Sequence, residues 1–249
     1  MTPVRKQNEN DAEIPDKERR AGPLKSQLKL TLHTDFAIQL WHGRRQNDKS
    51  NSQTERHWQI PGVPLFLASA ARVSNDALKG LLFAEWWLYK LEQILDEGTQ
   101  HIQQRLENVE NKLKVAPASV KISDISSTVP VNLGVFSKTP IGYRCVWLLV
   151  GVDQLVLRVL QAYHYGLLSR KLRSKYLDDA CHQVRRALGM SFKYRQILIH
   201  RGNLDVDNDA YRQAVTYFGE LDPDIVSGKK RSSFLPPLKK ITVLKGTSS

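Results

Sequence analysis

The chain has 249 residues, 41% of them hydrophobic, and a formal net charge of +12, enough for a sizeable core in one large domain or two small ones. A sequence pI near 9.7 makes polyanions the natural partners, nucleic acid before an anionic membrane. A disulfide framework is excluded by a cysteine count of 2, and a bilayer span is disfavoured because the best apolar stretch, 143–160, is broken by Arg144, Asp153 and Arg158.

Residues 1–20 mix acids and bases without an apolar run. They read as a disordered arm and not as a signal peptide. Residues 25–33 then alternate, with Leu28, Leu30 and Leu32 on one face and Lys25, Gln27, Lys29, Thr31 and His33 on the other. Strict alternation is the mark of a strand lying over a core. Its outward lysines, glutamine and threonine are residue types that bond base edges and phosphates in the DNA major groove. The other reading is an ordinary half-exposed strand.

Thr34-Asp35 starts a short helix that Gly43 stops. A polar loop follows over 44–57, and Pro61 to Pro64 opens another short helix through Ala71. Ser74, Asn75 and Asp76 read as the cap of a long helix reaching about Lys114. Leu81, Leu88, Leu95, Ile102 and Val109 recur every seven residues along it, the pattern of a helical hairpin or a dimer seam. Gly98 marks a break in this reading.

Residues 115–128 form a linker with an edge strand at 120–122. A second alternation puts Val129, Val131, Leu133 and Val135 on one face and Asn132 and Gly134 on the other. This segment and 25–33 can complete a ribbon within one chain or between chains. Residues 143–165 read as a central buried helix, since they are apolar nearly all round. Gly166 ends it, Ser169 caps the next helix and Gly189 closes that one. Ala162, Gly166 and Leu172 have the rough spacing of a helix-turn-helix presenting Arg170, Lys171, Arg173 and Lys175, or of a tight helical hairpin with a solvated basic face. A last helix spans about 207–219. From Ser227 onward the tail carries no acid and supplies sequence-independent attraction for phosphate.

Enzyme signatures are missing: no GxGxxG, phosphate-binding loop, GxSxG or HExxH. His33, His42 and His57 have no acids at metal-ligand spacing. Asp205, Asp207 and Asp209 alternate like a calcium loop but lack its glycine and closing glutamate, so helix capping is the better reading. No catalytic residue, metal or cofactor is expected. Cys145 and Cys181 read as buried, reduced thiols of a cytoplasmic protein.

The run from Ala21 through Thr34, with Ala37, Leu40, Gly43 and Arg44, resembles the N-terminal signature of the AcaB-like family. Ile141 to Arg144, Leu148, Leu149, Asp153, Leu155, Val156, Ala162, His164 and Gly166 are similar to its central block. Gly219 to Leu221, Val226, Gly228, Pro236 and Pro237 are similar to its C-terminal block. The family comprises transcriptional regulators of conjugative plasmids and relatives encoded by integrating conjugative elements. The resemblance implies a ribbon-helix-helix-related core embellished by long helices, and control of transfer genes.

The expectation is therefore a mainly α chain with a small antiparallel β ribbon. It is organised as an arm (1–20), one domain (21–225) and a basic tail (226–249). Its partner is double-stranded DNA, with a homodimer in prospect and no membrane or small-molecule substrate. Lys25, Gln27, Lys29 and Thr31 meet the groove, while Lys138, Arg144, Lys229, Lys230 and Arg231 hold phosphates. The competing reading is an accessory scaffold of a conjugative element that docks a partner through its heptad helix.

Overall fold

The computed structural model describes residues 28–43, 60–115, 117, 119–201, 204 and 208–238. In chain order the elements are β1 (Leu28–Leu32), α1 (Asp35–His42), α2 (Val63–Leu78), α3 (Leu82–Leu113), β2 (Val131–Val135), α4 (Pro140–His164), α5 (Arg170–Phe192), α6 (Asp209–Phe218) and α7 (Pro223–Val226). The protein is mainly helical, with one antiparallel sheet made by β1 and β2.

α3, α4 and α5 form the central layer, and their side-chain contacts fix their directions. Going along α3, Asp96 meets Arg144, Gly98 lies against Leu148 and Ile102 lies against Gly151. The contact advances the same way on both helices, so α3 and α4 run parallel. Against α5 the order reverses, with Glu97 on Arg186 at 2.7 Å and Arg105 on Asp179 at 3.4 Å. Parallel neighbours need a long return path. Residues 114–139 supply it, tied to α4 by Gln161 Nε2 donating to Ser123 O at 2.8 Å and by the Arg158–Asp124 pair at 3.2 Å. That path ends in β2, which pairs with β1 in the same chain.

The heptad stripe is used up inside this layer. Leu81, Leu88, Leu95, Ile102 and Val109 are all buried, each contributing about 1.5–3 kcal/mol of apolar transfer. No partner helix has access to that seam.

Several boundaries differ from the sequence reading. α2 continues through Ser74 to Leu78, and the break falls at Gly80, where φ is +82°. Asp76 is not a cap. Its buried carboxylate accepts from Tyr194 OH at 3.0 Å and from Gln196 Nε2 at 2.8 Å. Gly98 lies inside α3, where an added Cβ would stand 3.2 Å from Leu148 Cδ2; it permits close packing and breaks nothing. α5 runs past Gly189 to Phe192. It packs back along α3 and α4, so the turn at Gly166 makes a helical hairpin. No strand forms at 120–122. α4 does reach the length and apolarity of a membrane-crossing helix, although 61% of its most apolar window is buried inside the chain.

Candidate nucleic-acid interface

Alternation places the apolar side of the ribbon on the core and leaves the other side outside. Leu30, Leu32 and Val135 are buried, whereas Lys29, Thr31, Asn132 and Gly134 are exposed. Cross-strand register pairs Lys29 with Gly134 and Thr31 with Asn132. The Thr31 hydroxyl donates to Asn132 Oδ1 at 2.8 Å, which leaves the Asn132 amide N–H groups available to an outside acceptor. A Cβ at Gly134 would meet nothing within 4 Å, so the space beside Lys29 is open.

The end of β1 is fixed from beneath. Asp153, a buried acid within α4, accepts from His33 N and Thr34 N, both at 2.9 Å, and from Thr34 Oγ1 at 2.6 Å. Thr34 Oγ1 in turn accepts from Ala37 N at 3.3 Å and caps α1. His33 Nδ1 accepts from Ser127 N at 3.3 Å, which commits one ring nitrogen to the return path. The ribbon is thus a stiff platform with a polar outer face. At its other end an open groove of about 700 Å³ lies between Leu28, Lys138, Tyr143, Trp147 and Phe234.

Of the residues expected to touch nucleic acid, Lys25 and Gln27 lie outside the described residues. Lys29 and Thr31 share the ribbon's outer face. Lys138 lies just beyond β2, exposed and lining the groove. Lys229 is exposed as well.

The remaining three cations are engaged within the chain. Arg144 pairs with Asp96 and, at 3.8 Å, with Glu92, and its guanidinium lies 5.8 Å from the Phe234 ring centre. Lys230 contacts Asp222 at 2.8 Å and Asp224 at 3.1 Å. Its hydrogen bond to Asp222 raises the ammonium pKa and lowers that of the Asp222 carboxyl. Arg231 approaches the buried Glu85 at 3.8 Å. A phosphate would have to displace a carboxylate at each of them.

Glu85 and Glu92 hold the segment after α7 against α3. Glu85 accepts from Arg201 Nη2 at 2.6 Å. Glu92 accepts from Ser233 N at 2.9 Å and from the Ser233 hydroxyl. Residues 231–238 therefore include a docked strap, and Phe234 from this strap forms one wall of the groove.

The sequence reading noted that Asn132 faces outward but did not count it as a contact residue; its alternation with Gly134 was the available signal. Among the described residues no group of acids, histidines and cysteines could hold a metal ion.

A family model described as "Transcriptional regulator AcaB" matches residues 20–239. No curated protein matches. A crystal structure of selenomethionine-containing AcaB from uropathogenic E. coli is similar at a TM-score of 0.43 and 10% identity, covering 84% of this chain and 91% of that one.

Proposed function

The chain belongs to the AcaB family of transcriptional regulators, and from that premise we propose that it acts by binding double-stranded DNA with the outer face of its β ribbon in the major groove. One observation carries this reading. An antiparallel pair of strands buries Leu30, Leu32 and Val135 while exposing Lys29, Thr31 and Asn132, and a two-stranded ribbon with such residues suits the major groove. In this reading Lys25 and Gln27 also contact the groove, with Lys138 and Lys229 as phosphate contacts. Arg144, Lys230 and Arg231 are instead engaged by carboxylates within the chain.

The order β1, α1, α2 supports a ribbon-helix-helix-related core, with the ribbon's second strand supplied by β2. The regulated genes in this proposal are conjugative transfer genes of a plasmid or integrating element. The protein works in the cytoplasm, as a homodimer that presents one ribbon to each half-site.

Genome-wide capture of DNA bound to the full chain tests the reading. Enrichment of promoters carrying paired half-sites about one helical turn apart supports it. Recovery of DNA without any shared sequence overturns groove readout.

A further inference from the structure

The corner between α4 and α5 carries a cluster of positive charge that the ribbon reading leaves unused. α5 begins with Arg170, Lys171, Arg173 and Lys175, and its first turn contains no acid. The start of a helix is the positive end of its backbone dipole, where acids stabilise and cations do not. Lys171 and Lys175 are also like charges at i and i+4, a repulsive pair. The fold thus holds cations where its own electrostatics disfavour them.

Among the described residues no ion pair offsets this arrangement. Arg170, Lys171 and Lys175 are exposed, and none has an ionic partner among the described residues. The helix end itself is already capped, because Ser169 Oγ accepts from Leu172 N at 3.3 Å. The attracting feature is therefore the side-chain cluster. Around it, Arg173 stacks on Tyr163 at 4.9 Å, His164 meets Tyr165 edge-on at 5.3 Å, and Tyr165 is 50% exposed.

We infer that this corner is a second contact for double-stranded DNA, holding the phosphate backbone and not the bases; the inference rests on the ribbon's reading as a DNA-binding element. Arginine, lysine and tyrosine are phosphate-contact types. No Asn or Gln lies within 163–175, so the amide fork that reads adenine is missing. Along α4, Asp153 under the ribbon and Tyr165 at the corner are about 18 Å apart, roughly five base pairs of duplex. The helix spaces a reading element from a gripping one.

The test is an R170Q/K171Q/K175Q variant of the full chain, with Lys171→Gln alone as a milder second variant. Fluorescence anisotropy would follow binding to a random-sequence duplex and to its single strand, each about 30 nucleotides long, across a salt series. The slope of log affinity against log salt should fall by about two to three units in the triple variant and by about one in the single variant. Discrimination between enriched and random duplexes should be retained. A wild-type slope in both variants overturns the inference, as does a loss confined to the single strand. The two readings fail separately. Lost discrimination in a T31A/N132A variant beside a wild-type slope in the triple variant rejects the corner alone. The reverse rejects the ribbon alone.

Discussion

The carboxylate of Asp153 accepts both the backbone N–H and the hydroxyl of Thr34, at 2.9 and 2.6 Å, across 119 residues of chain. One acid in the middle of an apolar helix thereby sets where β1 ends and α1 begins. Replacing Asp153 with Ala would leave the His33 and Thr34 donors in a largely dry site. A buried donor without a partner costs about 1–3 kcal/mol, so D153A should lose about 3 kcal/mol or more. The milder D153N keeps one acceptor oxygen and should lose less. Urea unfolding midpoints distinguish the two, and a wild-type midpoint for D153A would refute the assignment.

On the ribbon, Thr31→Ala and Asn132→Ala should leave unfolding within about 0.5 kcal/mol of wild type, because both side chains are exposed. Each should instead reduce sequence discrimination by about 1–3 kcal/mol for a lost groove contact. Lys29→Ala should lower the salt slope by about one unit. Competition gel shifts over a salt series measure all three.

The strap after α7 separates a buried ion pair from an exposed one. Removing Glu85, which is 3% exposed, leaves Arg231 and Arg201 without their carboxylate, with Arg201 keeping only its backbone acceptors Ile225 O and Val226 O, and E85A should cost about 3 kcal/mol. It should also open residues 227–238 to proteolytic cleavage that the wild type resists there. Lys230 pairs with Asp222 and Asp224 in the open, and K230A should change stability by less than about 1 kcal/mol. Limited proteolysis followed by mass analysis would locate the cut.

Alkali should destabilise the protein in a defined direction. Burial pushes the Cys145 thiol above its ordinary value of 9.0. Burial and the hydrogen bond to Asp76 push the Tyr194 phenol above its ordinary 10.0. A raised native pKa means that the unfolded chain releases these protons first as pH rises. Stability from this source is complete below pH about 9 and falls as pH climbs past the ordinary thiol and phenol values. Melting temperatures measured from pH 7 to 11 should decline accordingly. In the native protein at neutral pH both cysteines should resist thiol reagents, because the thiol of Cys145 is buried and that of Cys181 is held above its ordinary value.

Local pattern carried far in this chain. The alternation of Leu28, Leu30 and Leu32 with Lys29 and Thr31, and that of Val131, Leu133 and Val135 with Asn132, disclosed both strands and their outer faces. Helix ends marked by Thr34, Gly43, Gly166 and Ser169 were legible for the same reason, since caps and left-handed glycines act over a few residues.

Where partners lie far apart, the sequence was silent or misleading. Asp76 looks like a helix cap until Tyr194 and Gln196 arrive to occupy it. Gly98 looks like a break until Leu148 fills the space above it. Arg144 and Arg231 look free because Asp96 and Glu85, which engage them, belong to another helix. The heptad stripe was visible, but its partners α4 and α5 could not be told from a second chain.

The register that joins Thr31 to Asn132 spans 101 residues, and this has a consequence for synthesis. At roughly 5–20 residues per second, β1 leaves the ribosome several seconds or more before β2 exists to pair with it. Until then its row of backbone donors and acceptors stands open beside alternating leucines, a template for unwanted strand pairing. Lysines at the outward positions reduce that hazard through mutual repulsion. The same charges proposed to find DNA in the finished protein would first keep the unfinished chain apart from its neighbours.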